Sequence, residues 1–305
     1  MTASQVAVVI VNHDTRQHLH HCLDAVTPEA PGQVIVVDTA SSDGSVDLVR
    51  RRFPAVRVIE MENRGYGAGA NAGLREIDLP YAVVLNADTR PAPAALATLA
   101  AYLDDQPRAA VAGPLVVGLG GRTEATARRF PTPFELLLQE TGLHRLRLRR
   151  AVAPRRVDWV LGAALALRTE AVKDAGAFDE SYVMYNEEVD LCLRMAKRGW
   201  EVHYVPTAAV AHVGGASTSQ QRSAMAARYV KSTVALYRRH YTTWQLAATR
   251  AILATALNAR KARDRTRRVL TTDGERRAEL RAQIHAWDAA RAALRDAASS
   301  TSVNT

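Results

Sequence analysis

Four groups of residues carry side chains whose types and spacing suit chemistry. The first is Asn86-Ala87-Asp88, directly after the apolar run Tyr81–Leu85. A carboxylate just past a buried strand can hold Mg²⁺ or Mn²⁺, which favour carboxylate oxygen and share their shell with substrate phosphates. The plainer alternative is a turn or capping carboxylate ahead of Thr89-Arg90-Pro91. The second group is Glu187, Glu188 and Asp190 at a helix start, behind the apolar stretch Phe178–Tyr185. The helix dipole alone would favour acids there. A carboxylate against an apolar wall can also serve as a general base with a raised pKa. The third group is the glycine-rich run from Gly65 to Gly73, with Asn71 able to hydrogen-bond a ligand. Its spacing is not that of a dinucleotide fingerprint, and tight helix–strand packing explains it equally. The fourth is His212, just past a strand, which reads as structural or as a ligand. His13, His18, His20 and His21 crowd one helix without a cysteine or carboxylate cluster at ligand spacing, and read as solvated surface.

The elements that position these groups alternate. Val6–Val11 is a continuous apolar run of β-formers, as expected of a strand buried on both faces; Val34–Val37 reads as a second buried strand, and Val56–Ile59 and Tyr81–Leu85 as a third and fourth. Helical patterns separate them, from about Thr15 (with Asp14 as the expected N-cap), Ser45, the glycine-rich loop and Ala94. This rhythm predicts a mostly parallel sheet with helices on both faces, and ligands at the carboxyl ends of its strands. Asp38 and Asp88 both fall on that edge. The stretch from Gly118 to Arg156 is irregular and rich in arginine. A helix is expected over Asn186–Arg198, a strand over Val202–Val205, a glycine turn after Ala209–Ala216, and helices from Gln221 onward, broken at Asp273-Gly274. Ser299–Thr305 reads as a frayed tail. The pattern divides the chain into an α/β domain over 1–220 and a helical, basic extension over 221–305.

Composition bounds the reading. The chain has 305 residues, 48% hydrophobic and 23% charged, which excludes a wholly disordered or fibrous protein. No run of 18 apolar residues occurs, so a membrane-spanning helix is not expected. The N-terminus shows no signal-peptide pattern. Cys22 and Cys192 read as buried free thiols, and the expected location is the cytoplasm, including the inner face of the membrane. The net charge of +9 is uneven: 17 Arg/Lys face 6 Asp/Glu between Arg222 and Asp296, and the remainder is near neutral. Trp244–Asn258 is roughly amphipathic and precedes the arginine-rich Arg260–Arg268, an arrangement suited to an anionic membrane surface. Solvated packing on the catalytic domain and a dimerisation pair are the alternatives, and the oligomeric state is not legible.

In order along the chain stand Val8–Asn12, Val36–Ser45, Asn63–Gly73, Leu85–Asp88, Gly176–Glu180, Met184–Arg194, Gly199-Trp200 and His212–Ser217. This ordered set resembles the family 2 glycosyltransferases of the GT-A fold, near the bacterial rhamnosyltransferase-like branch, over residues 5–240. The resemblance implies inverting transfer of a sugar from a nucleotide diphosphate donor to an acceptor hydroxyl. By position, Asn12, Asp38 and Thr39 would line the nucleoside pocket. Asn63, Gly65 and Asn71 would approach the ribose or diphosphate. Asn86-Ala87-Asp88 takes the family's DxD place, with Asp88 the metal ligand and His212 completing metal or diphosphate contacts. Glu188 stands at the position of the catalytic base, with Glu187 the alternative.

Three departures stand out. Asn86 replaces the first aspartate of DxD, Thr39 stands where Asp or Asn is usual, and Glu188 replaces aspartate. The implied cofactor is Mg²⁺ or Mn²⁺, and the implied donor a dTDP- or UDP-sugar, leaning to rhamnose. The implied acceptor is a lipid-linked glycan, a polysaccharide or a small natural product, with peripheral membrane contact through the basic helices. Nucleic acid is not an expected partner. The competing readings are a catalytically silent nucleotide-binding relative and a basic nucleic-acid- or lipid-binding protein.

Overall fold

The computed structural model describes residues 5–29, 31–143, 152–213 and 219–299. The glycine turn expected after Ala216, the end of the His212–Ser217 motif and nearly all of the expected frayed tail lie outside these residues.

The first half alternates as its sequence pattern requires. It runs β1 (Val6–Asn12), α1 (Arg16–Val26), β2 (Gln33–Thr39), α2 (Ser45–Arg52), β3 (Arg57–Met61), α3 (Tyr66–Leu74) and β4 (Tyr81–Asn86). Then follow β5 (Thr89–Pro91), α4 (Ala95–Asp105), β6 (Ala109–Val117), β7 (Ala127–Arg128) and α5 (Pro133–Thr141). After these come β8 (Arg155–Val157), β9 (Trp159–Val160), β10 (Ala164–Arg168), α6 (Thr169–Ala175), α7 (Glu187–Lys197) and β11 (Glu201–His212). The chain closes with α8 (Ser219–His240), α9 (Thr243–Leu270) and α10 (Gly274–Ser299).

The main sheet has the order β3-β2-β1-β4-β10-β6-β11-β5, with β8 also paired to β11. β3, β2, β1 and β4 are mutually parallel, as are β6 and β11; β10 runs antiparallel between β4 and β6. The period-two alternation of β1 shows why its sequence is continuously apolar. Val6, Val8 and Ile10 enter one core with Leu19, Leu23, Leu96 and Leu99, while Ala7 and Val9 enter another with Ala70, Val172, Leu191 and Met195. The glycines of α3 permit its close approach to β1: a Cβ on Gly73 would sit 2.4 Å from Val9 Cγ1. Cys22 and Cys192 are buried free thiols, as expected.

One expectation fails locally. Asp14 does not cap α1; Thr15 stands at the cap without a side-chain bond. Asp14 instead adopts φ +48° and accepts the Ser42 amide at 2.7 Å, tying the β1 and β2 loops together.

The chain forms two compact units. The sheet unit comprises residues 1–130, 149–183 and 187–214, and the helical unit 131–148, 184–186 and 215–305. The helical unit has its own core of Leu136 from α5, Val230 and Val234 from α8, Leu253 and Leu257 from α9, and Ala290, Ala293 and Leu294 from α10. Thr242 begins α9 with a reciprocal capping box to Gln245. No helix among the described residues is long and apolar enough to cross a membrane.

Candidate functional site

Strand pairing assembles the site at the carboxyl edge of the sheet. β11 pairs with β5 so that His212 lies opposite Thr89, and the Val213 amide donates to the Asp88 carbonyl at 3.0 Å. This register places His212 Nε2 3.5 Å from Asp88 Oδ1. The other imidazole nitrogen, Nδ1, donates to Glu124 Oε1 at 3.1 Å. Glu124 follows β6 and is fixed by its own amide, which donates to the Val116 carbonyl. It escaped sequence reasoning because 88 residues separate it from His212 and nothing local marks it.

Electrostatics follow from the contacts. The hydrogen bond and charge of Asp88 push the His212 pKa up, with Glu124 adding to the effect. Burial alone would raise Asp88, but the His212 contacts outweigh it and hold the carboxyl below its ordinary value. Asp88 and His212 offer one oxygen and one nitrogen close enough to share a single divalent ion. A carboxylate on the far nitrogen of a ligating histidine fixes its tautomer and leaves the near nitrogen free to bind metal. Among the described residues no third acidic, histidine or cysteine donor joins this pair at ligand spacing. The donor set therefore fits an ion that completes its shell with diphosphate oxygens and water.

A second group of carboxylates begins α7. The Tyr66 hydroxyl donates to the Gly162 carbonyl at 3.0 Å. Burial first, and the charges of Glu187, Glu188 and Asp88 after it, push its pKa well up, and the Glu188 carboxyl lies against the same Gly162. Glu187 is only 6% exposed; burial first and Glu188 second raise its pKa strongly. Glu188 is half-buried, and its carboxyl is also raised by burial, despite backbone N–H groups, Gly162 among them, and the charge of Arg128. Each has one shielded oxygen, Oε2, with no hydrogen-bond partner. Asp190 is different: it is fully buried and bound by Arg194 Nε at 2.7 Å, and Arg194 also donates to the Ala177 carbonyl at 2.6 Å. Asp190 is thus a structural acid.

The expected nucleoside residues are brought together and braced. Asn12 Nδ2 donates to Asp38 Oδ2 at 2.8 Å, and Thr39 Oγ1 donates to the Asn12 carbonyl at 2.9 Å. All three are buried, and the Asp38 carboxylate also accepts the Ser41 amide. They set the shape of the loop after β2 rather than projecting far from it. Asn63 is exposed, and its Oδ1 accepts the Gly65 amide at 3.2 Å. Gly65 has φ +101°, and a Cβ there would lie 2.2 Å from the Val183 carbonyl oxygen, so only glycine fits. Asn71 turns inward: its amide donates to the Phe178 carbonyl at 2.8 Å and its oxygen accepts the Phe178 amide at 3.0 Å. It braces the loop ahead of α7. Asn86 and Asp88 are half-buried, and Ala87 is buried between them.

The histidine-rich face of α1 departs from expectation. His18, His20 and His21 are half-buried rather than solvated, and His13 alone of the four is exposed. One turn along, Asp24 lies 3.6 Å from His20, and with His21 these form a trio whose donor atoms lie within 4.8 Å of one another. The helical offset of four residues supplied the carboxylate that the sequence reading did not count.

Known proteins identify the family. Residues 3–247 match the model of the family described as "Glycosyltransferase like family 2". The N-acetylglucosaminyl-diphospho-decaprenol L-rhamnosyltransferase of Mycobacterium tuberculosis is 31% identical over 265 residues, which cover 78% of this chain and 86% of the relative. Among solved structures, a mannosyltransferase from Pyrobaculum calidifontis, in complex with GDP-Man and Mn²⁺, superposes with a TM-score of 0.58. It is 20% identical, and the match covers 96% of this chain and 87% of that one. GalNAc-T7 with UDP, GalNAc and Mn²⁺ gives 0.55 at 17% identity, covering 76% of this chain and 47% of that one. By its GT-A sheet and these likenesses, the chain belongs to family 2 of the glycosyltransferases, in its rhamnosyltransferase branch.

Proposed function

We propose that this glycosyltransferase is metal-dependent and inverting, moving a sugar, rhamnose foremost, from a dTDP- or UDP-sugar to an acceptor hydroxyl. The observation that carries the reading is the Asp88–His212 pair at 3.5 Å, together with Tyr66 and Glu188 meeting at Gly162. Asp88 and His212 would hold Mg²⁺ or Mn²⁺. Such an ion would supply positive charge to the diphosphate as it leaves. Asp88 would hold that ion through a carboxylate oxygen, and His212, fixed at Nδ1 by Glu124, would bind it through Nε2 once that nitrogen has lost its proton.

On the acceptor side a carboxylate must take the hydroxyl proton as oxygen attacks the anomeric carbon. Glu188 suits this role better than Glu187. It is the more exposed of the two, and Gly162 lies against its carboxyl, where a Cβ would meet Cδ at 3.4 Å. Burial, and the charge of Glu188 after it, favour the protonated form of nearly buried Glu187. The similarity to an N-acetylglucosaminyl-diphospho-decaprenol L-rhamnosyltransferase favours a lipid-linked acceptor, which this chain would meet at the inner face of a membrane. Asn12, Asp38, Thr39, Asn63 and Gly65 frame the donor pocket in this reading, and Asn71 supports it from behind.

Calorimetric titration of UDP, dTDP and GDP, with and without Mn²⁺, tests the donor side. One nucleotide should bind tightly and only with metal, and Asp88→Ala should abolish that binding. Glu188→Gln should retain donor binding while transfer falls about 10²–10⁴-fold. If Glu187→Gln shows that pattern and Glu188→Gln does not, the base is Glu187.

A further inference from the structure

The helical unit contains a second polar site that sugar transfer does not use. A groove of about 480 Å³ between α9 and α10 is lined by Asn258, Lys261, Arg265, Asp288, Arg291 and Arg295. Four cations thus face one carboxylate. Asp288 is engaged by Lys261, and the charge of Arg265 adds to holding its carboxyl below the ordinary value. Arg265, Arg291 and Arg295 make no ion pair with any described acid. The cations are stacked at four-residue intervals, 261 with 265 and 291 with 295, so like charges adjoin on each helix. Such spacing works against the helices that carry it. An anion in the groove would relieve both repulsions at once.

The surroundings select the kind of anion. Lys261, Arg265 and Val269 follow at successive four-residue steps on one stripe of α9. Trp244 lies 25 residues before Val269, close to seven whole turns, and so falls on the same side as Val269, farther toward the start of α9. Val269 is 74% exposed, Leu270 76% and Trp244 67%. On α5 of the same unit, Phe134 is 56% exposed and Leu137 44%. Basic residues beside exposed aliphatic and aromatic side chains match a lipid–water boundary. A nucleic acid would leave Val269 and Leu270 without a partner.

We propose that the α9–α10 groove binds the phosphate of an anionic phospholipid headgroup, with Val269 entering the lipid surface beside it and Trp244 farther along α9. This assignment is independent of the transfer reaction, because it is read without donor or acceptor.

The test is flotation of the full-length protein with phosphatidylcholine vesicles, with and without one-third phosphatidylglycerol. The protein should float only with the anionic vesicles, and less as salt screens the groove. Each basic residue near such a surface is worth about fivefold in affinity, so Arg291→Gln/Arg295→Gln should weaken binding by roughly 20–30-fold. Circular dichroism and nucleotide binding would confirm that the variant is folded. Trp244→Ala, which leaves the groove charge intact, should weaken binding too. Equal flotation of wild type and the arginine variant overturns the proposal. So does the absence of vesicle binding with the groove instead taking inorganic phosphate, or a single-stranded oligonucleotide held in preference to vesicles.

Discussion

At the residue scale, the Glu124–His212–Asp88 chain makes the sharpest demand. Glu124→Gln should leave the fold intact and lower Mn²⁺-dependent nucleotide diphosphate affinity by about 10–100-fold, measured calorimetrically. Unchanged affinity would remove Glu124 from the metal's support. The acids of α7 predict two pH effects. If Glu188 is the base, it must be deprotonated to act, and burial raises its pKa. The acid limb of kcat/KM should then lie above the usual carboxylate range, and Glu188→Gln should erase it. Glu187, also raised, binds its proton more tightly folded than unfolded. Its favourable contribution is therefore present below the unfolded carboxylate pKa and lost as pH rises through the folded value. Glu187→Gln should raise Tm at pH 8 and gain little at pH 4. A larger gain in acid would contradict the burial argument.

At the scale of elements, what could be read from sequence was what local pattern encodes. The alternation of apolar runs and amphipathic segments announced β1 to β4 and their helices, and placed Asp38 and Asp88 on one edge. The antiparallel insertion of β10 between β4 and β6 was not legible, because register depends on pairings distant in the chain. The same distance hid Glu124, the Tyr66–Gly162 bond across 96 residues, and the inward turn of Asn71 toward Phe178 across 107. Asp14 misled because a capping residue type was read without its backbone angle. The glycines of α3 carry a prediction of their own. Gly73→Ala forces a methyl against Val9 and should cost about 1–3 kcal/mol in urea unfolding. Gly65→Ala should cost more, because both its φ and the Val183 carbonyl exclude a side chain.

At the scale of the whole molecule, the two units are not divided as two lengths of chain. The helical unit takes 131–148 and 184–186 from within the stretch that otherwise builds the sheet. In the short piece 184–186, Tyr185 and Asn186 both have positive φ. Ser232 donates to the Tyr185 carbonyl, and Asn186 Nδ2 donates to Thr233 Oγ1 at 3.3 Å. Glu187 begins immediately afterwards. Truncation after residue 213 should therefore not release a well-behaved catalytic half. Leu136 would lose every core partner it has on α8, α9 and α10. We expect strong binding of an apolar dye and aggregation. A monodisperse truncated chain with full nucleotide affinity would show that α5 can be satisfied otherwise.

The division also has a consequence in time. Synthesis runs from the N-terminus at about 5–20 residues per second. α5 leaves the ribosome long before Val230, Leu253 or Leu294, the residues that cover Leu136. During that interval Leu136 must wait uncovered, and Phe134 and Leu137 stay exposed even after folding is complete. Newborn chains thus carry a sticky helix until α8, α9 and α10 have been made. Their yield in the cell should depend on chaperone capacity more than the finished protein's stability would suggest.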